Sequence, residues 1–108
     1  MSPTKPIRRV TLFKIPAVED QQKVLAIYKE MPDKAKRDGQ PYILSLAAGP
    51  TFEDQRNQGY TIAVISIFSS EDDMKYYDDE CEAHAALKKV AKPLLQGVMM
   101  VYFESIFD

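Results

Sequence analysis

The only histidine and the only cysteine of the chain, His84 and Cys81, lie three residues apart in the segment DDMKYYDDECEAHAALKK at residues 72–89. Histidine titrates near neutral pH and can act as a general base, for example on an acidic C–H group flanked by carbonyls. A tyrosine hydroxyl can stabilise the oxyanion of the resulting enolate. Tyr76 and Tyr77 precede the histidine, and neighbouring helical residues point about 100° apart. We favour Tyr77 for this role because it lies seven residues before His84, and we keep Tyr76 as a predicted substrate contact.

A structural role for the same residues is the open alternative. His84 shares one helical face with apolar residues that follow at helical spacing, namely Leu87, Ala91 and Leu94. An inward histidine needs only one hydrogen-bond partner to be stable in a core. Glu80, one turn earlier, is expected either to orient the imidazole or to remain solvated. A thiol such as that of Cys81 is usually an inert small apolar group when it is buried.

The elements that must position these residues follow from periodicity. Residues 7–15, 42–49, 60–68 and 98–104 have the β-branched and aromatic composition of strands. Helical spacing begins at Ala17 and ends near Pro32, where the polar segment DKAKRDGQP follows, and PTFEDQRNQG is predicted to form a polar loop. A second helix begins at Ser69 or Ser70 and is expected to break around Asp78-Asp79. The order β-α-β-β-α-β predicts an α+β, ferredoxin-like protomer with a four-stranded antiparallel sheet and both helices on one face.

Two of these strands are apolar on both faces. The stretches IAVISIF at residues 62–68 and VMMVYF at residues 98–103 lack the alternation of a half-solvated sheet, and two helices can cover only one face. A second copy of the chain is the simplest cover for the open face. The sequence therefore predicts a homodimer.

Composition limits the remaining function classes. The chain has 108 residues, 45% apolar and 28% charged, with a formal net charge of −2, which predicts one globular domain over residues 1–108 that does not bind nucleic acid. No apolar run approaches the roughly 20 residues of a membrane span, and MSPTKPIRR lacks the apolar region of a signal peptide. We therefore expect a cytoplasmic protein without a membrane partner. One histidine and one cysteine are too few for common structural zinc sites, so we expect neither metal nor cofactor.

Several segments resemble one known family over nearly the whole chain. RVTLFKI, GYTIAVISIF, YYDDECEAHAALKKVAKPLLQGV and VYFE are similar to the stress-responsive dimeric α/β-barrel (Dabb) family. The resemblance implies protomers that pair face to face into a dimeric α/β barrel, with a small-molecule pocket between sheet and helices. In the plant polyketide cyclases of this family, a histidine base with a tyrosine partner closes a linear polyketide by aldol condensation. His84 stands at the matching histidine position.

The match to that plant branch is incomplete. Its tyrosine stands six residues before the histidine, whereas here Asp78 is six and Tyr77 seven residues before His84. Three further positions differ from the family pattern. Arg9 stands in place of a first-strand histidine, Ile62 in place of the histidine that follows Gly-Tyr-Thr, and Cys81-Glu82 in place of the His-Pro pair. The pocket is therefore expected to be lined by different side chains, and we do not expect this chain to act on the substrate of the plant enzymes.

These observations lead to one leading hypothesis and two alternatives. The leading hypothesis is a cyclase or lyase for a carbonyl-rich, polyketide-like molecule, with His84 as general base and Tyr77 as its partner. The alternatives are a non-catalytic, stress-responsive dimer that binds a small molecule, and cofactor-free monooxygenase chemistry, which rests on architecture alone. The predicted substrate contacts include Arg9, which would hold an anionic or carbonyl group if it faces the helices. The full predicted set is Arg9, Ile27, Tyr28, Ile62, Val64, Tyr76 and Cys81.

Overall fold

A computed structural model describes residues 5–108 of the chain. The elements are, in order, β1 (Ile7–Lys14), α1 (Val18–Lys34), β2 (Lys36–Arg37), β3 (Gln40–Pro41), β4 (Ile43–Pro50), β5 (Ile62–Phe68), α2 (Glu71–Asp79), α3 (Glu82–Ala91) and β6 (Gly97–Phe103). Four strands form an antiparallel sheet in the order β4-β5-β1-β6, with the helices on one face. The predicted α+β, ferredoxin-like fold is confirmed.

The central strands decide which residues face the helices. In β1, Ile7, Arg9, Thr11 and Phe13 are buried, whereas the residues between them are only partly covered. The buried residues of β5 are Ile62, Val64, Ser66 and Phe68. The pairing register places these two sets on the same side, since Arg9 lies opposite Ser66 and Thr11 opposite Val64. We call this side the covered face and the opposite side the open face.

Helix α1 buries Val24, Tyr28 and Met31 against the covered face. The helix continues two residues beyond Pro32, where the sequence had predicted its end. Proline lacks only its own N–H group, so the bond to the carbonyl four residues earlier is lost. The Met31 carbonyl still accepts the N–H of Ala35 at 2.8 Å, which closes the last turn.

The polar segment DKAKRDGQP contains a short hairpin that was not predicted. Strands β2 and β3 pair across Asp38 and Gly39, which have φ values of 52° and 75°. An Asp-Gly pair favours such a two-residue turn because both positions require positive φ. The hairpin leads into β4, where a bulge between Ile43 and Ser45 leaves Leu44 exposed.

The second helical segment breaks where the sequence predicted. The Ser70 hydroxyl caps α2 by accepting the N–H of Asp73 at 3.1 Å. At the other end, the N–H groups of Glu80 and Cys81 both donate to the Tyr76 carbonyl, at 2.8 and 3.0 Å. The next carbonyls along the chain are therefore left without helical partners. None of the helices over residues 5–108 is long and apolar enough to cross a membrane.

Candidate functional site

A cavity of about 210 Å³ lies between α3 and the half of the sheet formed by β1 and β6. Polar groups of its lining belong to Arg9, Thr11, Asp78 and His84, with Lys88 and Lys92 exposed at the rim. The rest of the lining is apolar, namely Phe13, Leu87, Ala91, Leu95, Val98 and Met100. The site therefore combines a small polar cluster with an apolar wall, as small-molecule sites commonly do.

The cavity exists because the helices cover the edge strand β6 incompletely. In the register with β1, Val98 lies opposite Phe13 and Met100 opposite Thr11, so both belong to the covered face. They nevertheless remain 54% and 37% exposed. Apolar side chains on the helix side of the sheet are thus left facing open space, which a ligand can fill.

His84 is positioned by the break between α2 and α3. Its ring is buried, and Nδ1 lies 2.8 Å from the Tyr77 carbonyl oxygen, one of the carbonyls that α2 leaves free. A carbonyl oxygen only accepts, so Nδ1 carries the hydrogen and the lone pair of the neutral ring is on Nε2. No hydrogen bond joins Nε2 to another of residues 5–108. This nitrogen is available to a molecule in the cavity.

The charge of His84 is set mainly by burial. The pKa of His84 is lowered from 6.5 to about 4; burial is the main cause, the Tyr77 carbonyl acts in the opposite direction, and the positive charges of Arg9 and Lys88 add to the lowering. The imidazole is therefore neutral at pH 7. It can accept a proton, but the imidazolium that forms needs a compensating negative charge nearby.

Arg9 brings a positive charge to the same end of the cavity. Its strand position turns it to the covered face, where NH2 donates to Asp78 Oδ1 at 2.8 Å and NH1 donates to Thr11 Oγ1 at 3.2 Å. Asp78 Oδ1 is also 3.9 Å from His84 Nδ1. The Nε atom of Arg9 is buried without a hydrogen-bond partner among residues 5–108. The guanidinium is thus fixed by two partners beside the histidine.

Tyr77 packs against the face of the His84 ring and holds its orientation. Its ring stacks on the imidazole, with centroids 3.8 Å apart and planes 14° apart, and the Arg9 guanidinium carbon is 5.3 Å from the ring centroid. Burial raises the pKa of Tyr77 well above its usual value, so the hydroxyl stays protonated. The ring fixes the plane of the imidazole and the main-chain carbonyl fixes its tautomer. Tyr77 itself is not part of the cavity lining.

Three residues of the same segment lie away from the cavity. Tyr76 packs edge to face on Tyr42 at 5.3 Å, and its hydroxyl donates to the Lys36 carbonyl at 3.3 Å, so it is not a substrate contact in this arrangement. Cys81 is buried in the core as the N-cap of α3. Glu80 is exposed in the helix break, and the Tyr77 carbonyl takes the orienting role that was considered for it.

Four other predicted contacts also lie outside the main cavity. Ile62 and Val64 are fully packed core residues on β5. Ile27 lines a separate cavity between α1 and α3, and Tyr28 borders a groove between α1 and β4. The Tyr28 hydroxyl is buried without a hydrogen-bond partner in the described part of the chain, and burial raises its pKa. Of the predicted set, the structure brings together Arg9, His84 and, behind them, Tyr77.

Most of the residues that line the main cavity were not predicted from the sequence as site residues. Thr11 and Phe13 could have been found from strand alternation, since they share the parity of Arg9. Lys88 could have been found from its position four residues after His84. The role of Asp78 had no such signal, because it depends on where α2 ends.

Comparison with known proteins agrees with this architecture. The model of the Stress responsive A/B Barrel Domain (Dabb) family matches residues 7–105. The chain is 44% identical over 99 residues to a protein of Gibberella zeae described as "Fusaristatin A biosynthesis cluster protein", covering 91% of this chain and 72% of that protein.

Solved structures share the fold at low sequence identity. A dimeric ferredoxin-like protein of unknown function from Thermobifida fusca has a TM-score of 0.77 at 21% identity, covering 94% of this chain and 92% of that one. The hydroxynitrile lyase of Passiflora edulis has a TM-score of 0.76 at 15% identity, covering 95% of each chain. With the family model spanning both the sheet and the histidine-bearing helix, the chain belongs to the stress-responsive A/B barrel (Dabb) family.

Proposed function

We propose that the chain is a lyase or cyclase that removes a proton next to a carbonyl group of a small molecule bound in the main cavity. The observation that carries this proposal is the neutral His84, whose tautomer is fixed by the Tyr77 carbonyl, whose Nε2 is left free, and which lines the same cavity as Arg9. A positioned base next to a fixed positive charge is the arrangement that enolate formation requires.

The reaction follows from the two groups. His84 Nε2 accepts the proton of the substrate C–H bond, and the electron pair of that bond moves to the carbonyl, giving an enolate. The Arg9 guanidinium stabilises the enolate oxygen, a role that the sequence analysis assigned to Tyr77. The enolate carbon then attacks a second carbonyl of the same molecule, which closes a ring. A carbon–carbon bond is broken by the reverse sequence.

The lining indicates the class of substrate. The apolar wall favours a molecule with an aliphatic or aromatic part, and about 210 Å³ is small compared with sites for drug-sized ligands. A carbonyl-rich, polyketide-like intermediate fits this description. The biosynthesis cluster named for the Gibberella zeae relative and the lyase activity named for the Passiflora edulis neighbour support chemistry on a small organic molecule.

The same proposal includes a homodimer that buries the open face. The open face presents Met99, Val101 and Phe103 of β6, each about half exposed, and Ile65 of β5, which is separated from Val101 by Val10 of β1. A continuous apolar sheet surface of this kind is a typical oligomer interface. Several structural neighbours are described as dimeric, including those from Thermobifida fusca and Bacteroides fragilis.

Proton abstraction can be tested without the natural substrate. The protein is incubated in D₂O with simple apolar ketones such as benzylacetone and with β-keto esters, and loss of the α-hydrogen signal is followed by NMR. We expect faster exchange with the wild-type protein than with His84→Gln, which keeps a side chain of similar size but has no basic nitrogen. Equal rates for the two proteins, with both shown to be folded by circular dichroism, would contradict the proposed role of His84.

The second candidate function is a dimer that binds a small molecule without catalysis. The close stacking of His84 on Tyr77 and its lowered pKa favour this alternative, because a packed core histidine has the same features. It predicts that His84→Gln lowers the free energy of unfolding by about 1 to 3 kcal/mol and changes no reaction rate. Ligand binding that persists in His84→Gln, without exchange in either protein, would favour it.

A further inference from the structure

Asp78 contributes the only carboxylate among the described lining residues of the main cavity. One of its oxygens, Oδ1, lies 2.8 Å from Arg9 NH2 and 3.9 Å from His84 Nδ1. Its main-chain carbonyl accepts the Lys88 ammonium at 2.7 Å. A single residue thus touches both cations of this end of the cavity and lies next to the proposed base.

Protonation of His84 changes the balance of positive and negative charges around it. The titratable and charged groups that face His84 come from three packed elements: Arg9 of β1, Tyr77 and Asp78 of α2, and Lys88 of α3. With His84 neutral, Asp78 and Arg9 compensate each other. Once His84 is protonated, three positive charges surround one carboxylate, and a charge in a buried site is costly unless it is paired.

An enolate restores the balance if the pairs are rearranged. The oxyanion compensates Arg9, and the carboxylate already beside Nδ1 compensates the imidazolium. We propose that Asp78 is a positioning residue that exchanges partners in this way, holding Arg9 in the resting site and stabilising protonated His84 after the transfer. This inference rests on the proposed function and assigns Asp78 a role in that same site.

The exchange requires no group beyond those present. The substrate C–H bond breaks, its proton goes to His84 Nε2, and the electron pair stays on the substrate as the enolate. The Nδ1–H group of His84 donates to the Tyr77 carbonyl throughout, so Asp78 accepts no proton and acts by its charge. Its 3.9 Å separation from Nδ1 suits an electrostatic role rather than a direct hydrogen bond.

Asp78→Asn distinguishes this role from a merely structural one, because the proposal predicts tighter binding of an oxyanion but slower proton exchange in this variant. The variant keeps the size of the side chain but removes the charge that compensates Arg9. At about pH 8, where His84 is neutral, para-nitrophenolate serves as an oxyanion probe, and we expect it to bind about tenfold more tightly to the variant. The rate of ketone α-hydrogen exchange should fall by about tenfold or more, because the imidazolium has lost its counter-charge.

Matched variants complete the test. Asp79→Asn removes a neighbouring exposed carboxylate and should leave both measurements at the wild-type values. Asp78→Glu should restore most of the wild-type behaviour. Local damage to the site would weaken phenolate binding and exchange together. Weaker or unchanged phenolate binding by Asp78→Asn, or no phenolate binding by any of these proteins, would overturn the proposal.

The phenolate measurement also keeps the two proposals distinct. It needs no turnover, so wild-type protein that exchanges no ketone would contradict the proposed function while phenolate binding still tests the pairing of Asp78 with Arg9. Tighter phenolate binding by the variant with unchanged ketone exchange would overturn the partner exchange and leave the role of His84 standing.

Discussion

Arg8 and Arg9 are adjacent on β1 but have opposite surroundings. Arg9 faces the helices, has 7% of its side chain exposed and pairs with Asp78 at the end of α2. Arg8 faces the other way, has 29% of its side chain exposed and pairs with Asp108 near the C-terminus. One arginine is therefore held within a cavity, whereas the other lies on a surface. The difference extends to the two faces of the sheet.

The covered face can hold polar groups because the helices supply partners for them. The C-terminal end of α2 provides the Tyr77 carbonyl for His84 and the Asp78 carboxylate for Arg9. The open face receives no such helix end from residues 5–108, and most of its strand side chains are apolar, including Val10, Ile65 and Val101. The buried polar cluster therefore lies on the covered face, and the open face has the features of an interface.

A charge placed on the open face should have the largest effect. We expect Val101→Glu to weaken the proposed dimer by about 5 kcal/mol, roughly a thousandfold or more, because the two-fold axis brings two unpaired charges into an apolar contact. Sedimentation velocity at several protein concentrations measures this change. Val90→Glu, at a partly exposed side chain of α3 beside α1, is the control and should leave the assembly unchanged. A wild-type chain that sediments as a monomer would contradict the proposal that the open face is a homodimer interface.

Truncation of a core side chain on the covered face should have the next largest effect. Phe68 is fully buried and contacts Tyr77, with ring centroids 5.4 Å apart. We expect Phe68→Ala to lower the free energy of unfolding by about 4 kcal/mol, through lost burial and a residual cavity. Urea denaturation measures this difference. Phe52→Ala, at a side chain that is 93% exposed, is the matched control and should change the value by less than about 0.5 kcal/mol.

The covered face should also make stability depend on pH. The folded pKa of His84, about 4, is below its ordinary value of 6.5, so between these two values the folded protein binds fewer protons than the unfolded chain. The free energy of unfolding must then rise with pH across this window. The contribution is complete above pH 6.5 and is lost as the pH falls towards 4, up to about 3 kcal/mol in total.

Comparison of wild-type protein with His84→Gln isolates this contribution. Denaturation at a series of pH values between 4 and 7 should give a difference between the two proteins that shrinks as the pH falls. Carboxylates titrate in both proteins and cancel in the difference. A constant difference would show that His84 has an ordinary pKa and is not buried as the structure describes.

The fold could be predicted from the sequence because each element carries its own pattern. Strand alternation, the Ser70 cap and the apolar face of α1 are local signals, and their order defines the topology. The hairpin at Asp38-Gly39 and the continuation of α1 past Pro32 were missed. The Asp-Gly pair is a sequence signal for the hairpin that was not used, whereas the continuation of α1 depends on the Ala35–Met31 hydrogen bond, which composition does not reveal.

The site could be predicted only in part because its geometry depends on a helix end. His84 was found from helical periodicity, and Arg9 was named as a contact on the condition that it faces the helices. Helical spacing counted across the expected break directed attention to Glu80, and Tyr76 was kept as a substrate contact, whereas in the structure Glu80 is exposed and Tyr76 packs on Tyr42. A shift of one residue in a helix end changes which carbonyls are free, and such ends are the least predictable part of a helix.

The two arginines of β1 provide the finest test of the difference between the faces. We expect Arg9→Gln to lower the free energy of unfolding by about 2 kcal/mol, because Asp78 is left without its partner in a largely buried site. Arg8→Gln should cost less than about 1 kcal/mol, since an exposed ion pair contributes little. Both are measured by urea denaturation in the Val101→Glu background, where burial of Arg8 by a second protomer does not contribute. Equal losses for the two variants would mean that the covered face does not isolate the Arg9 pair from solvent, and the electrostatic basis of the site would fail with it.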